Sequence, residues 1–358
     1  METERPLRVG IVGCGRVAVA QWGHIPALKK ISNVKLVAVC DVNESLAKKA
    51  SENFHIARYY GDLSEMLKRE KLDIVHICTP PKTHAALSIT AMKSGCNVLV
   101  EKPMSVSTEE SDEMIRASKE NGMKLCIVHN NLFTPMMMRA RSIVSEGIIG
   151  DLTGIDFRDA WPKDSAGFID KGHWYHKLPC GVFGEMLPHP IYIEIAFLGK
   201  LEPVSVYAKK LSSYEWVLAD ELRIILEGER GIGAITASCN WPKGGKDEAT
   251  VDIFGTKSNL HADLYTAVLT KYGVGGESRT ARVLDNLRQN YQQLTCISSA
   301  AFNSMLGRHH TGHHNLIERF AEAVRNDTVP PVSGEEGREV IRVLEKIDAL
   351  MKTSLGRA

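Results

Sequence analysis

Charge imbalance is nearly absent from this chain: 44 Lys and Arg stand against 43 Asp and Glu, a net charge of +1. No broad field therefore draws it to nucleic acid or to an anionic membrane surface. Long hydrophobic runs are missing too, and none approaches the ~20 residues that span a bilayer. The eight cysteines, at positions 14, 40, 78, 96, 126, 180, 239 and 296, never form a Cys-x-x-Cys pair. Cys14, Cys40, Cys78 and Cys126 fall in or at the ends of apolar, strand-like runs, where a thiol serves as a small hydrophobe. A reduced, cytoplasmic protein is expected. The opening Met-Glu-Thr-Glu-Arg-Pro leads straight into a strand-like run, so no signal peptide is expected. There is neither an internal repeat nor a low-complexity tract. What remains is ordinary globular composition, 44% hydrophobic and 24% charged, over 358 residues. That length exceeds a typical single core and suits two domains.

Residues 7–130 alternate between two patterns. Short apolar runs rich in β-branched residues occur at 7–12, 35–40, 74–78, 97–100 and 124–128. Between them lie amphipathic stretches at 44–53, 84–94 and 108–121, several with Ser, Thr or Asn start signals such as Ser107. Continuously apolar strands alternating with helices predict a doubly wound α/β domain with a parallel sheet covered on both faces. After about residue 131 the pattern changes. A helix is predicted over 135–146, then strands at 152–160, 204–211, 221–229, 231–239 and 250–254. Glu229-Arg230-Gly231 and Gly255-Thr256-Lys257-Ser258 read as hairpin turns. Strands without intervening helices predict an α+β second domain with an antiparallel or mixed sheet. Residues 281–301 are a candidate helical insertion, and 315–325 and 335–351 read as helices. The expected division is 1–130 and 131–358, with the last helix a candidate to pack back on the first domain.

Gly13-x-Gly15-x-x-Ala18 lies between the first strand and a helix, the setting that gives this spacing meaning. Gly13 permits the tight turn, and Gly15 lets the backbone at Arg16 and Val17 approach a pyrophosphate. Ala18 still allows close helix–sheet packing. Asp41, just past the second run, supplies the acid that grips a ribose 2′-hydroxyl. A carboxylate there repels a 2′-phosphate, so NAD is favoured over NADP. Thr79-Pro80-Pro81-x-x-His84 follows the next strand. Thr79, Pro80 and His84 are candidates to line the nicotinamide half; the local alternative is a Pro-stiffened turn with Thr83 as a helix cap. Glu101-Lys102-Pro103 ends the 97–100 run and places an ammonium where strands of the same sheet end, with Glu101 and Lys102 candidate cofactor contacts.

In that order, the glycine turn, Asp41, Thr79-Pro80-x-x-x-His84 and Glu101-Lys102-Pro103 resemble the glucose–fructose oxidoreductase / inositol dehydrogenase / rhizopine-catabolism (Gfo/Idh/MocA) family of sugar and polyol dehydrogenases. Gly147-Ile148-Ile149-Gly150, Gly255-Thr256-Lys257 and Pro330-Pro331-Val332 extend the likeness over nearly the whole chain. The resemblance implies a Rossmann domain followed by an α+β domain with a large open-faced sheet, often used for dimer or tetramer contacts. It carries the family's lysine onto Lys102 and its histidine onto His189. Glu185 replaces the family's aspartate, and Cys180-Gly181 replaces part of a glycine run. A carboxylate and an imidazole four apart fall on one helix face, so Glu185 would orient His189 as it takes a hydroxyl proton. Lys102 would stabilise negative charge on the same oxygen. Pro188 and Pro190 flank the histidine, however, and leave open a helix that starts at His189 with Glu185 in a loop.

The Glu-x-x-x-His pair and the run His309-His310-x-x-His313-His314 raise the question of a metal. That run lies in a polar loop without a cysteine or carboxylate in ligand spacing, so a solvated helix entry and no metal are expected. Candidate substrate contacts are Arg158, Trp161, Lys163, His173, Trp174, Tyr175, His176 and Lys177, with Asn240-Trp241-Pro242-Lys243 a candidate to close the same pocket. Aromatic faces and long polar side chains suit sugars, including anionic or nucleotide sugars. The expected activity is NAD-dependent oxidation of a secondary hydroxyl to a ketone. Two alternatives stand beside it: a redox-neutral reaction that recycles bound NAD through elimination or epimerisation, and a dinucleotide-binding regulator without turnover. Lys102 together with His189 argues against the regulator.

Overall fold

Short strands made only of apolar residues need cover on both faces, and the first sheet has it. The computed structural model describes residues 5–243, 247–273, 278–305 and 311–356. Strand β1 (Leu7–Val12) leads into two short helices, α1 (Arg16–Val19) and α2 (His24–Leu28). Then follow β2 (Val34–Cys40), α3 (Glu44–Phe54), β3 (Arg58–Tyr60), α4 (Leu63–Arg69), β4 (Ile74–Ile77), α5 (His84–Lys93), β5 (Asn97–Val100), α6 (Thr108–Asn121) and β6 (Leu125–Ile127). The six strands form one sheet in the order β3-β2-β1-β4-β5-β6, every pair parallel. Ile74–Ile77 is buried throughout, as a strand covered on both sides must be. Caps set the helix ends: Asn43 accepts from the Ser45 amide and Ser107 from the Glu110 amide, while Gly122 closes α6 in the left-handed region at φ +65°. The sequence misses α2, β3 and α4. The first two are too short, at five and three residues, to show a period.

The second sheet is built from α7 (Pro135–Ser145), β7 (Leu152–Pro162), α8 (Ala166–Ile169), α9 (Phe183–Met186), α10 (Pro188–Leu198), β8 (Leu201–Lys209), β9 (Glu221–Gly228), β10 (Gly231–Trp241), β11 (Glu248–Gly255), β12 (Asn259–Asp263) and β13 (Val268–Tyr272). Its order is β13-β12-β11-β7-β10-β9-β8. Only β7 and β10 pair in parallel, so the sheet is mixed, as expected. The expected hairpins join β9 to β10 and β11 to β12, but β12 and β13 were not read from the sequence. Ile155, Phe157, Ile235 and Ala237 are buried on the face that carries α10, while Arg158, Arg223, Ile225 and Ile232 are exposed on the other. The candidate insertion is a single helix, α11 (Arg279–Met305), and α12 (Gly312–Arg325) and α13 (Gly334–Leu355) complete the chain.

The chain groups into two compact units: Met1–Phe133 with His310–Arg342, and Thr134–His309 with Val343–Ala358. The first boundary lies close to residue 130, but 310–342 returns to the first unit rather than staying with the second. The reason is visible at the β6 edge, where the Ile127 amide donates to the Val332 carbonyl at 3.2 Å and Cys126 bridges to Ser333. An added segment there protects an otherwise open sheet edge. Arg338 reinforces it with a two-point ion pair to Asp112 at 2.6 and 3.0 Å. Among the described residues, no helix is long and apolar enough to cross a membrane.

Candidate functional site

Parallel strands bring their carboxyl ends to one edge, and the order of the first sheet reverses between β1 and β4, where such sheets open a ligand crevice. Gly13 sits at that point with φ +93°; a Cβ there would lie 2.6 Å from the Cys78 carbonyl oxygen and 2.9 Å from the Thr79 nitrogen. The β1 turn thus presses on the end of β4. Gly15, which precedes α1, is exposed, and a Cβ on it would meet nothing within 4 Å. Ala18 is fully buried, as close helix–sheet packing requires, while Arg16 reaches over the Trp22 ring at 5.9 Å and Val17 is half-buried. The Asp41 carboxylate accepts from the Cys14 and Asn43 amides, each at 2.8 Å. It therefore ties the glycine turn to the end of β2. An open cradle at Gly15 and an acid at the end of β2 are what the pyrophosphate and ribose of a dinucleotide need, so the residues present fit the group.

The Thr79-Pro80 loop differs in part from expectation. Thr79 is half-buried and Pro80 exposed, at the edge of the crevice. Thr83 occupies the cap position of α5 without capping: its hydroxyl bonds the Pro80 carbonyl at 2.9 Å and the Thr79 hydroxyl at 2.8 Å. His84, predicted to face the cofactor, is fully buried. Its Nδ1 lies 2.9 Å from the Pro103 carbonyl oxygen and its Nε2 2.7 Å from that of Thr79. Both ring nitrogens are consumed in joining the two loops. Burial pushes this imidazole's pKa down, against the pull of the carbonyls.

Glu101 likewise turns inward, away from the cofactor-contact role predicted for it. It is 6% exposed; its Oε1 lies 2.8 Å from His24 Nε2 and 3.5 Å from His313 Nε2, and its Oε2 accepts the Lys102 amide at 3.1 Å. Burial alone would raise this carboxyl's pKa, but the hydrogen bonds from His24 and His313 reverse the shift and hold it well below the usual range. Lys102 is half-buried at the end of β5. Beside it, burial and then the Lys102 charge push His129 down to about 3.

The solvated helix entry predicted for His313-His314 is overturned: the two are 6% and 3% exposed in the first turn of α12, which packs on α2. His309 and His310 lie outside the described residues. Spacing along the chain missed the nearby carboxylate because Glu101 arrives from a different strand. Among the described residues His24, Glu101 and His313 are the one group of three metal-ligating side chains to converge. The 2.8 Å from His24 to Glu101 is hydrogen-bond spacing, tighter than the roughly 3.3 Å between two ligands of a tetrahedral zinc.

In the second unit, Glu185 lies in α9 rather than in a loop. Helical dihedrals persist through Leu187 (φ −62°, ψ −28°), whose amide bonds the Phe183 carbonyl at 2.8 Å. Pro188 falls at the start of α10, where a missing N–H costs nothing. Glu185 and His189 are each half-buried, whereas the three residues between them are buried. Cys180, standing where the resemblance expects glycine, still adopts φ +61°, and its amide donates to Asp348 at 2.7 Å.

Trp161 and Tyr175 approach to 6.0 Å, Trp174 and Tyr175 to 4.5 Å, and His173 stacks on Trp174 at 5.7 Å. His176 binds the Asp170 carbonyl at 3.1 Å, and Lys163 and Lys177 are exposed. Arg158 does not join this group. It projects from the open face of the sheet, over the Trp241 ring at 4.8 Å and 3.4 Å from Glu248.

A dinucleotide-binding sheet followed by a mixed-sheet domain defines a two-domain oxidoreductase. Residues 7–129 match the oxidoreductase family with an NAD-binding Rossmann fold, and residues 141–353 match that family's C-terminal alpha/beta domain. The chain belongs to the Gfo/Idh/MocA oxidoreductase family, and its cofactor is NAD. It is 26% identical over 341 residues to the uncharacterized oxidoreductase YrbE of Bacillus subtilis, covering 93% of this chain and 91% of that one. It is 25% identical over 342 residues to myo-inositol 2-dehydrogenase of Thermotoga maritima, covering 93% and 92%. The WlbA dehydrogenase of Bordetella pertussis, solved with NADH and UDP-GlcNAcA, shares the fold at a TM-score of 0.80 and 22% identity, covering 98% and 97%.

Proposed function

We propose that the protein oxidises a secondary hydroxyl of a sugar, polyol or nucleotide sugar to a ketone, with NAD as hydride acceptor. The observation that supports this reading is the place of Lys102 in the chain: the residue follows the carboxyl end of β5, on the sheet edge that holds the Gly13–Gly15 turn and Asp41. Gly13, Gly15, Arg16, Val17, Asp41, Thr79 and Pro80 would hold the cofactor, which supplies the hydride-accepting ring when bound. Oxidation takes a hydride from carbon and a proton from oxygen. In this reading His189 accepts that proton, and Glu185, one helical turn before it, steadies the imidazolium. Lys102 offsets the negative charge that develops on the oxygen. Trp161, Trp174, His176, Lys163 and Lys177 are the proposed substrate contacts, with the aromatic group offering flat faces to a sugar ring. Two relatives support the class: one is named for inositol oxidation, and another was solved with a nucleotide-sugar acid.

The test is NADH absorbance during incubation with NAD and a panel of polyols, free sugars, sugar acids and nucleotide sugars. One class should yield NADH. Lys102→Ala should abolish that turnover while leaving NAD affinity intact, and wild-type turnover in this variant would refute the mechanism.

A further inference from the structure

Helix α11 is built inside out. A surface helix turns its apolar stripe to its own core and its polar side to water. Here the side that faces the chain is polar. Asp285, Gln289, Gln292 and Cys296 recur at steps of four, three and four, share one face, and are all half-buried. The helix packs on β13, the edge strand of the seven-stranded sheet. Gln292 makes a two-point bond to the main chain of Lys271: its Oε1 accepts the amide at 2.9 Å and its Nε2 donates to the carbonyl at 3.3 Å. One turn on, the Cys296 thiol donates to the Leu269 carbonyl at 3.7 Å. Asp285 lies beside Gly273 and accepts from Gln289 Nε2 at 3.1 Å. Polar side chains thus take the place of a further strand at this edge, and their bonds fix the rotation of the helix.

That rotation leaves Val283, Leu284, Leu287, Tyr291, Leu294 and Ile297 outside, each between 53% and 70% exposed. Along about 21 Å of helix they present on the order of 600 Å² of apolar surface, as much as the largest patch a monomer leaves in water. Positions 284, 287, 291 and 294 alternate steps of three and four, the seam of a coiled coil, and Val283 and Ile297 widen it on one side. Such a seam is filled by a helix of the same spacing. The charged positions of α11 are Arg279, Arg282, Asp285 and Arg288, and none follows from 289 to 305. Two parallel copies would bring their net-positive halves together, whereas antiparallel copies set each against an uncharged half. We propose that α11 is a self-association surface through which two copies of this chain pair as antiparallel helices about a two-fold axis. The seam is symmetric about position 289, so Leu284 packs on the partner's Leu294 and Leu287 on the partner's Tyr291. With its polar rim the patch comes near the roughly 800 Å² per partner of a standard interface. A lipid surface fits poorly, because an interfacial helix offers Lys and Arg on its polar face, and here that face holds one aspartate and is bonded to β13.

The experiment is the mass of the full-length protein at micromolar concentration, by sedimentation equilibrium, for wild type, Leu287→Glu, Leu294→Glu and Ile232→Asp. A two-fold axis presents each seam residue twice, so one substitution buries two charges in an apolar seam and should weaken the pairing about a hundredfold or more. Each glutamate variant should therefore halve the wild-type mass. A monomeric wild type, or a mass that both glutamates leave unchanged, overturns the proposal. A mass lowered by Ile232→Asp alone places association on the open face of the sheet and overturns it too. The substituted side chains are exposed, so far-UV circular dichroism should match wild type. Cross-linking tests the pairing without disrupting it. In a Cys296→Ser background the other native cysteines are buried. Mild oxidation should then join two chains of the Leu284→Cys/Leu294→Cys double variant and leave Leu284→Cys alone unjoined. No cross-link in the double variant, or one in Leu284→Cys alone as a parallel pair would give, overturns the antiparallel pairing.

Discussion

Gly13→Ala and Gly15→Ala should separate folding from cofactor binding within three residues. At Gly13 the backbone has φ +93°, and an L side chain in the left-handed region costs about 1–2 kcal/mol. The new Cβ would also lie 2.6, 2.7 and 2.9 Å from the Cys78 carbonyl oxygen, its carbon and the Thr79 nitrogen. These are main-chain atoms at the end of β4, and the Cys78 amide is tied to the Val12 carbonyl at 2.7 Å, so they cannot swing aside. Forcing extra atoms into such a contact costs about 1–3 kcal/mol more. Gly13→Ala should therefore destabilise the first unit by about 2–5 kcal/mol and disturb the turn with it. Gly15 has ordinary extended dihedrals, φ −76° and ψ −169°, and open space where a Cβ would stand. Gly15→Ala should leave the unfolding temperature unchanged, yet fill the gap through which a pyrophosphate reaches the backbone. A loss of 1.4 kcal/mol there is a tenfold weaker NAD Kd. Thermal unfolding and NAD titration by fluorescence give both quantities. Wild-type stability in Gly13→Ala would refute the argument from the turn, and wild-type NAD affinity in Gly15→Ala would refute the place given to the pyrophosphate.

Asp41→Ala should narrow the preference for NAD over NADP, measured as the ratio of kcat/KM, and an unchanged ratio would refute the ribose contact. It should also loosen the glycine turn, since the same carboxylate holds the Cys14 and Asn43 amides. Glu194 on α10 is fully buried against Gly233, and burial raises its pKa well above the usual value. A carboxyl raised in the folded state contributes stability below its unfolded pKa and loses it as pH climbs, because the unfolded chain ionises first. Glu194→Gln should thus raise the unfolding temperature at pH 8 and change it little at pH 4; parallel shifts at both would refute the assignment.

The fold was legible wherever a strand or helix carried enough residues to show its period. β1, β5 and α6 have the bounds the sequence predicts, because each is an uninterrupted apolar run or a capped amphipathic stretch. The five-residue α2 and three-residue β3 held too little pattern to be seen. At the candidate site, Gly13, Gly15, Asp41 and Lys102 stand out in the sequence because each sits at a fixed offset from a strand end. Glu185 and His189 share a helical path because Pro188 falls at a helix start, a position that sequence alone left open between two readings. His84 and Glu101 were misjudged as ligand contacts because burial is a tertiary property. His24 was missed, and His313 was read as a solvated helix entry, because the contact joining them closes between segments 289 residues apart in a 358-residue chain. His76 had a signal, an imidazole inside an otherwise apolar strand, that asked for a buried polar partner.

The return of residues 310–342 to the first unit orders events during synthesis. The β6 edge and the carboxylate at Glu101 wait for Val332 and His313, which emerge only after the whole of Thr134–His309 has been made. At about 5–20 residues per second, that interval is on the order of ten to thirty-five seconds. Throughout it, the nascent dinucleotide-binding half carries an unprotected sheet edge and a buried acid short of one donor. A chaperone that engages this protein on the ribosome would meet it there.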